Sequence, residues 1–182
     1  MNCSYKTFFY LIKSDFRRYM FLHQNGGASY VKAWVLTLLF ERGFKFTFWW
    51  RLAGIKSVFK PFAWLMYRHY STKYGIQINT STHIAGGLYI GHGLGVVINP
   101  TAIIGSNFTI SQFCTIGSNK GQAAIIGDNV YLAPHCCIVE NVKIGNNSTI
   151  GAGSVVIHDV PKNCVMAGCP AKIIKIKKIC KE

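Results

Sequence analysis

Six histidines, six carboxylic acids and seven cysteines are the side chains of this 182-residue chain most able to move a proton, hold a metal or act as nucleophiles. The histidines are His23, His69, His83, His92, His135 and His158. A neutral imidazole suits general-base work because its pKa lies near neutral pH. His92 stands among Gly91, Gly93 and Gly95, and neighbours that small leave room for two substrates to approach one ring. His83 and His158 read as surface residues. The acids are Asp15, Glu41, Asp128, Glu140, Asp159 and Glu182, and none of them falls beside His92 in sequence. The cysteines form no CxxC pair, and Cys136 and Cys137 are adjacent, so neither a zinc site nor a disulfide framework is expected. They read as reduced thiols of a cytoplasmic protein, with Cys114 and Cys136 as small core residues.

The scaffold for these groups is visible in the spacing of the aliphatic residues. From Ile78 an aliphatic side chain recurs every six positions: Ile78, Ile84, Ile90, then Ile98, Ile104, Ile110, Ile116, then Ile126, Leu132, Ile138, Ile144, Ile150 and Val156. Gly often follows it, as at Gly91, Gly105, Gly117, Gly127, Gly145 and Gly151. Four positions on comes a smaller residue such as Ala102, Cys114, Val130, Cys136 or Ser154. A helix repeats every 3.6 residues and a strand every two, so neither produces a period of six. Three short strands per turn of a triangular solenoid do. The series breaks twice, with eight residues from Ile90 to Ile98 and ten from Ile116 to Ile126. Counting hexads in threes stacks those of Ile90, Ile110, Leu132 and Ile150 on one face. That count places His92, Gln112 and His135 along one strip, with Ala152 further on.

Residues 1–74 have a different chemistry. They hold 21 of the 25 aromatic residues, and twelve Lys or Arg against Asp15 and Glu41. Helices are expected around Tyr5 to Phe21, through Val31, Val35, Leu38 and Leu39 after a cap at Ser29, and through Trp64, Leu65 and Tyr67 with Pro61 in the first turn. Gly26-Gly27 separates the first two. Such a region either caps the solenoid with buried aromatics or lays a basic, aromatic surface on an anionic membrane. The first apolar stretch, Thr7 to Ile12, is short and lacks a small-residue cleavage site, so no signal peptide is expected. No apolar run approaches the ~18 residues that a membrane-spanning helix requires. The net charge of +14 favours an anionic partner. Nucleic acid is not expected, because the aromatics interleave with aliphatics and no recognition motif is present.

The Ile-Gly-x-x-x-x repeats, the segment His92-Gly93-Leu94-Gly95-Val96-Val97-Ile98 and the ending Gly151-Ala152-Gly153-Ser154-Val155-Val156, Val160-Pro161 and Ala167-Gly168-Cys169-Pro170-Ala171-Lys172 resemble the hexapeptide-repeat acyltransferases. Within them the chain is similar to the serine acetyltransferase-like branch, which includes capsule and exopolysaccharide O-acetyltransferases. The resemblance covers about residues 75–176, and extends more weakly to Phe44–Ala53. It implies an all-β left-handed parallel β-helix, assembled as a homotrimer with active sites between subunits. It also implies acetyl transfer from acetyl-CoA, without a metal, to an acceptor hydroxyl, with His92 as the catalytic histidine. The family's orienting Asp falls at Gln77, so an amide or a backbone carbonyl holds the imidazole here. For the CoA moiety the resemblance implies contacts around Gly117, Ala133, Ala152, Gly168 and Ala171, with Lys172 near a phosphate. Gln112 and His135 are candidate substrate contacts.

Three segments are thus expected: a helical basic region over 1–74, the β-helix over 75–166, and a CoA-side segment with a basic tail over 167–182. The loop Ser118–Ala124 has Ala123-Ala124 where serine acetyltransferases carry a His-Pro that helps hold serine. On that ground the expected acceptor is a saccharide or glycan hydroxyl in capsule or exopolysaccharide biosynthesis, on an enzyme that is cytoplasmic or peripheral on the inner membrane face. Serine O-acetylation for cysteine biosynthesis, or a non-catalytic β-helix holding an anionic partner, are the alternatives.

Overall fold

A computed structural model describes residues 5–23, 30–119 and 121–177. The Ser29 cap, the Gly26-Gly27 break, Lys120 and the tail lysines Lys178 and Lys181 lie outside the described residues. Residues 75–177 wind into a left-handed parallel β-helix with three faces. One face stacks β1 (Gln77–Ile78), β4 (Val97–Ile98), β7 (Thr115–Gly117), β10 (Cys137–Val139) and β13 (Val155–Val156). A second stacks β2 (His83–Ile84), β5 (Ile103–Ile104), β8 (Ile125–Ile126) and β11 (Lys143–Ile144). The third stacks β3 (Tyr89–Ile90), β6 (Thr109–Ile110), β9 (Tyr131–Leu132), β12 (Thr149–Ile150) and β14 (Cys164–Gly168). An antiparallel strand, β15 (Ala171–Ile176), closes that last face.

The register is that of the hexads: Ile78 pairs with Ile98, Ile84 with Ile104 and Ile90 with Ile110. Each aliphatic points inward and is buried, with Ile104, Ile110, Ile116 and Ile138 fully enclosed. Burying a side chain of that size contributes about 1.5–3 kcal/mol, so a stack of thirteen supplies the driving force for the coil. Cys114 and Cys136 fill the interior beside them. At one corner Asn107, Asn129, Asn147 and Asn163 all take left-handed φ, and each of the first three donates its side-chain N–H to the next amide oxygen at 2.9–3.0 Å.

Four helices precede the coil: α1 (Tyr5–His23), α2 (Tyr30–Phe40), α3 (Arg42–Ala53) and α4 (Lys60–Tyr74). Sequence periodicity anticipates three of them, with Pro61 in the first turn of α4. It misses α3, whose Phe, Trp and Thr residues surround the helix without forming one apolar stripe. The helices both cap the coil and expose apolar surface. Phe8, Phe16, Tyr19, Phe44, Phe46 and Trp50 are buried, whereas Phe9, Val31, Phe40, Val58, Phe59 and Trp64 are exposed. Among the described residues no helix is long and apolar enough to cross a membrane.

Candidate active site

The eight-residue step from Ile90 to Ile98 is resolved by the hydrogen bonds at the corner it occupies. The Phe113 N–H donates to the Leu94 carbonyl at 3.1 Å, the His135 N–H to Gln112 at 3.1 Å, and the Gly153 N–H to Pro134 at 2.9 Å. Leu94, Gln112 and Pro134 therefore form one column, and Gly95, Phe113, His135 and Gly153 the next. His92 and Gly93 are the two residues inserted before these columns begin. The expected strip through His92, Gln112 and His135 thus slips: Gln112 and His135 sit in neighbouring columns, and His92 bulges out above both. The insertion itself, not stacking, sets the imidazole apart.

The bulge depends on backbone that few residues adopt. His92 has φ 59° and Gly93 φ 52°, both left-handed. A Cβ on Gly93 would come within 2.6 Å of the Gly43 nitrogen and 2.8 Å of Arg42 Cβ, so only glycine lets the bulge back onto the start of α3. A Cβ on Gly43 would in turn overlap the Ile90 carbonyl and the Tyr19 hydroxyl. Tyr19, from α1, accepts the Ile90 N–H at 3.1 Å and donates to the Ile90 carbonyl at 3.4 Å. Burial pushes its phenol well above the ordinary range, so it stays a neutral clamp. Between these supports the His92 side chain is left exposed to solvent. Glu41, the residue before α3, is an acid that this packing brings near Tyr89 at the same end of the coil, and sequence spacing gave no sign of it. Its charge helps to raise the half-buried Tyr89 phenol, after burial itself.

The other candidate residues fall in three places. Gln77 pairs with Val97 across β1 and β4, and its side chain is exposed in a groove of about 720 Å³ that also takes in Tyr67, Arg68, Ser71, Gly117 and Ser118. Among the described residues it makes no hydrogen bond to His92. Gly117 thus shares a groove with Gln77 and not with the bulge. Gln112 is half-buried with its Oε1 enclosed and unpartnered, and His135 is exposed. Ala133 is buried and accepts a hydrogen bond from the Cys114 thiol at 3.0 Å, while Ala152 is exposed at the corner below Pro134. Gly168 pairs with Ala171, and the exposed Lys172 with Ala167, in the hairpin of β14 and β15. That hairpin lies four strand spacings below the level of β3, about 19 Å at the usual separation. No cluster of His, Cys, Asp or Glu suited to a metal occurs among the described residues.

Residues 123–158 match the family of bacterial transferase hexapeptide proteins (six repeats). A serine acetyltransferase of Synechococcus elongatus is 38% identical over 104 residues, 55% of this chain and 43% of that protein. One of Staphylococcus epidermidis is 44% identical over 105 residues, 56% of this chain and 49% of that protein. The coil carries hexapeptide repeats, and it is similar to those of the serine acetyltransferase-like branch. Its likeness extends through the helices: a Neisseria gonorrhoeae serine acetyltransferase solved in complex with serine superposes with a TM-score of 0.78 over 94% of this chain and 71% of that one, at 28% identity. The chain spans less than half the length of the curated relatives it matches.

These relatives overturn the expectation of a saccharide acceptor, and with it a place in polysaccharide biosynthesis. They are named for serine, and one is solved with serine bound. The structure supplies the physical reason for the error. Ala123 and Ala124 are fully buried in the coil interior, with the Ala124 carbonyl accepting the Ile103 N–H at 3.2 Å. They are core residues of the next hexad, and the four inserted residues lie before them. Two alanines that face the core do not line an acceptor site, so their identity says nothing about the acceptor.

Proposed function

We propose that this chain is an acetyl-CoA-dependent serine O-acetyltransferase with His92 as its general base. The observation that carries the proposal is the two-residue bulge, which lifts one glycine-flanked imidazole out of an otherwise regular coil, in the segment shared with proteins named serine acetyltransferases. An exposed imidazole can take the proton of the serine hydroxyl as its oxygen attacks the thioester carbonyl. The tetrahedral oxyanion then collapses, the carbon–sulfur bond breaks, and the proton passes from the imidazolium to the departing CoA sulfur. Among the described residues, Gln77 makes no hydrogen bond to the His92 of its own chain, so its positioning role is proposed toward the His92 of a neighbouring subunit. Its neutral amide leaves the imidazolium less stabilised than a carboxylate does. Ala133, Ala152, Gly168 and Ala171 offer the donor small, flat surface, Gly117 extends it into the groove, and Lys172 meets a phosphate. Gln112 and His135 meet substrate at the corner.

The assembly we favour is a homotrimer, supported by the exposed Ile103, Ile125 and Ile157 on the coil. A peripheral contact with anionic membrane is supported by the exposed Val58, Phe59, Phe62 and Trp64 between Lys56, Lys60 and Arg68. The deciding experiment follows thiol release from acetyl-CoA in the presence of serine. His92→Ala is expected to lower kcat/KM by about 10²–10⁴. Turnover within tenfold of wild type removes His92 as the base. A wild type that leaves serine unacetylated favours the alternative of a non-catalytic coil.

A further inference from the structure

The longer break in the hexads, between Ile116 and Ile126, is tied down at both ends. At its far end the Thr101 hydroxyl accepts the Ala123 N–H at 2.8 Å, and the Gln122 side-chain amide donates to the Thr101 carbonyl. At its near end the Asn99 side-chain amide donates to the Ser118 carbonyl at 3.2 Å. A carboxylate from the next turn of the coil grips the same residue. Glu140 accepts the Ser118 hydroxyl on Oε2 at 2.9 Å and the Asn119 N–H on Oε1 at 3.3 Å.

Glu140 makes these contacts from an uncommon backbone. Its φ is 60°, left-handed, a conformation it shares with His92, Asn107, Phe113, Asn129, His135, Asn147 and Asn163 among the described non-glycine residues. Asn and His are enriched there, glycine fits at no steric cost, and a long unbranched side chain is strained. The Glu140 N–H donates to the Gly117 carbonyl at 2.9 Å, a bond that any residue but proline supplies. The backbone thus asks for glycine, and the hold on Ser118 and Asn119 is what glutamate adds. Strain of this kind gathers at functional sites.

Ser118 and Asn119 line two spaces at once. One is a hollow of about 170 Å³ that they share with Glu140, Cys137 and Val139. The other is the 720 Å³ groove that holds Gln77. Glu140 therefore reaches the groove through these two residues.

We propose that Glu140 is a positioning residue for the acceptor, fixing Ser118 and Asn119 as the polar wall against which serine sits in the Gln77 groove. The inference rests on the function proposed above. Because Ser118 gives its hydroxyl proton to Glu140, its oxygen is left as an acceptor, the polarity that the serine ammonium needs. Ser71, Thr72, Asn79 and Asn99 add further hydroxyls and amides to the groove, which suit a small zwitterion polar on every side. The surface given to the donor meets the groove at Gly117, next to Ser118, where thioester and serine come together.

The test follows thiol release by the full chain at varied serine and varied acetyl-CoA, with melting temperature alongside. Glu140→Gly relieves the left-handed strain, so its melting temperature is expected to hold or rise. Its KM for serine is expected to rise about tenfold while KM for acetyl-CoA stays within twofold. Glu140→Gln keeps the reach and one acceptor oxygen, and its KM for serine is expected to return to within about threefold of wild type. A Glu140→Gly KM for serine within twofold of wild type overturns the role and leaves the serine acetyltransferase reading standing. A rise in both Michaelis constants with a lower melting temperature also overturns it, because Glu140 then serves the coil alone. A wild type that leaves serine unacetylated removes both readings.

Discussion

Arg51 is buried, and its guanidinium reaches two elements at once. Its Nε donates to Asp15 Oδ2 at 2.5 Å and its Nη2 to Asp15 Oδ1 at 3.1 Å, while Nη1 and Nη2 also donate to the carbonyls of Ile84 and Ala85. Asp15 Oδ1 further accepts the N–H groups of Gly87 and Leu88, both at 2.8 Å. Burial pushes the Asp15 carboxyl above its ordinary range, against the opposing pull of Arg51 and those two amides. The pair therefore joins α1 and α3 to the turn that leads into β3 and the His92 bulge. Arg51→Met leaves a buried carboxylate with no counter-charge and is expected to cost about 3–5 kcal/mol in urea denaturation. Unchanged stability would show that the carboxyl is already protonated in the fold. Little of this was legible in the sequence, where Asp15 and Arg51 stand 36 residues apart and Asp15 has the nearer cations Lys13, Arg17 and Arg18 beside it. His92 was legible because its glycine neighbours announce a special backbone. Glu140 was not, since left-handed φ has no sequence signal when the residue that adopts it is a glutamate.

At the scale of elements, the six-residue period showed the coil because each hexad repeats one physical demand, an inward aliphatic with a small partner. What it hid was what happens where the period breaks. Two inserted residues lift His92 out of register, and four others sit ahead of Ala123, sending both alanines inward. A count along the chain locates an insertion only to within one hexad, and the error moved both the substrate strip and the acceptor argument. α3 stayed hidden because an all-round aromatic helix buried against both coil and α1 has no amphipathic signature. The asparagine corner gives the sharpest test at this scale. Asn129 tolerates left-handed φ, donates to Asn147 and accepts from Asn107, each at 3.0 Å. Asn129→Ala loses both bonds and strains the backbone, with an expected loss of about 1–2 kcal/mol in thermal melts. Asn129→Gly relieves the strain alone and is expected to recover roughly half. Equal losses in the two variants would place the whole effect in the amide ladder.

For the whole molecule, the chemistry sits at one end of the coil and the unpartnered apolar surface on the helices beyond it. Val58 is 86% exposed and Phe59 63%, at the start of α4, with Phe62, Trp64 and Leu65 following and Lys56, Lys60 and Arg68 interspersed. The Arg68 guanidinium stands 5.8 Å from the Trp64 ring centre, so cation and aromatic surface share one face. The acids of this half offset little of the charge, with Asp15 enclosed against Arg51 and Glu41 at the head of α3. An anionic bilayer offers both what the aromatics need and what the lysines need, each basic residue near such a surface contributing about 1 kcal/mol. The full chain is therefore expected to float with vesicles containing phosphatidylglycerol, and far less with neutral phosphatidylcholine or at high salt. Val58→Ser combined with Phe59→Ser should reduce flotation several-fold while thiol release from acetyl-CoA with serine is unchanged, because neither side chain reaches the His92 corner. Flotation that the double variant leaves intact would assign the attraction to charge alone. Flotation absent in the wild type, with the variant changing only the mass seen by light scattering, would give this face to a second copy of the chain.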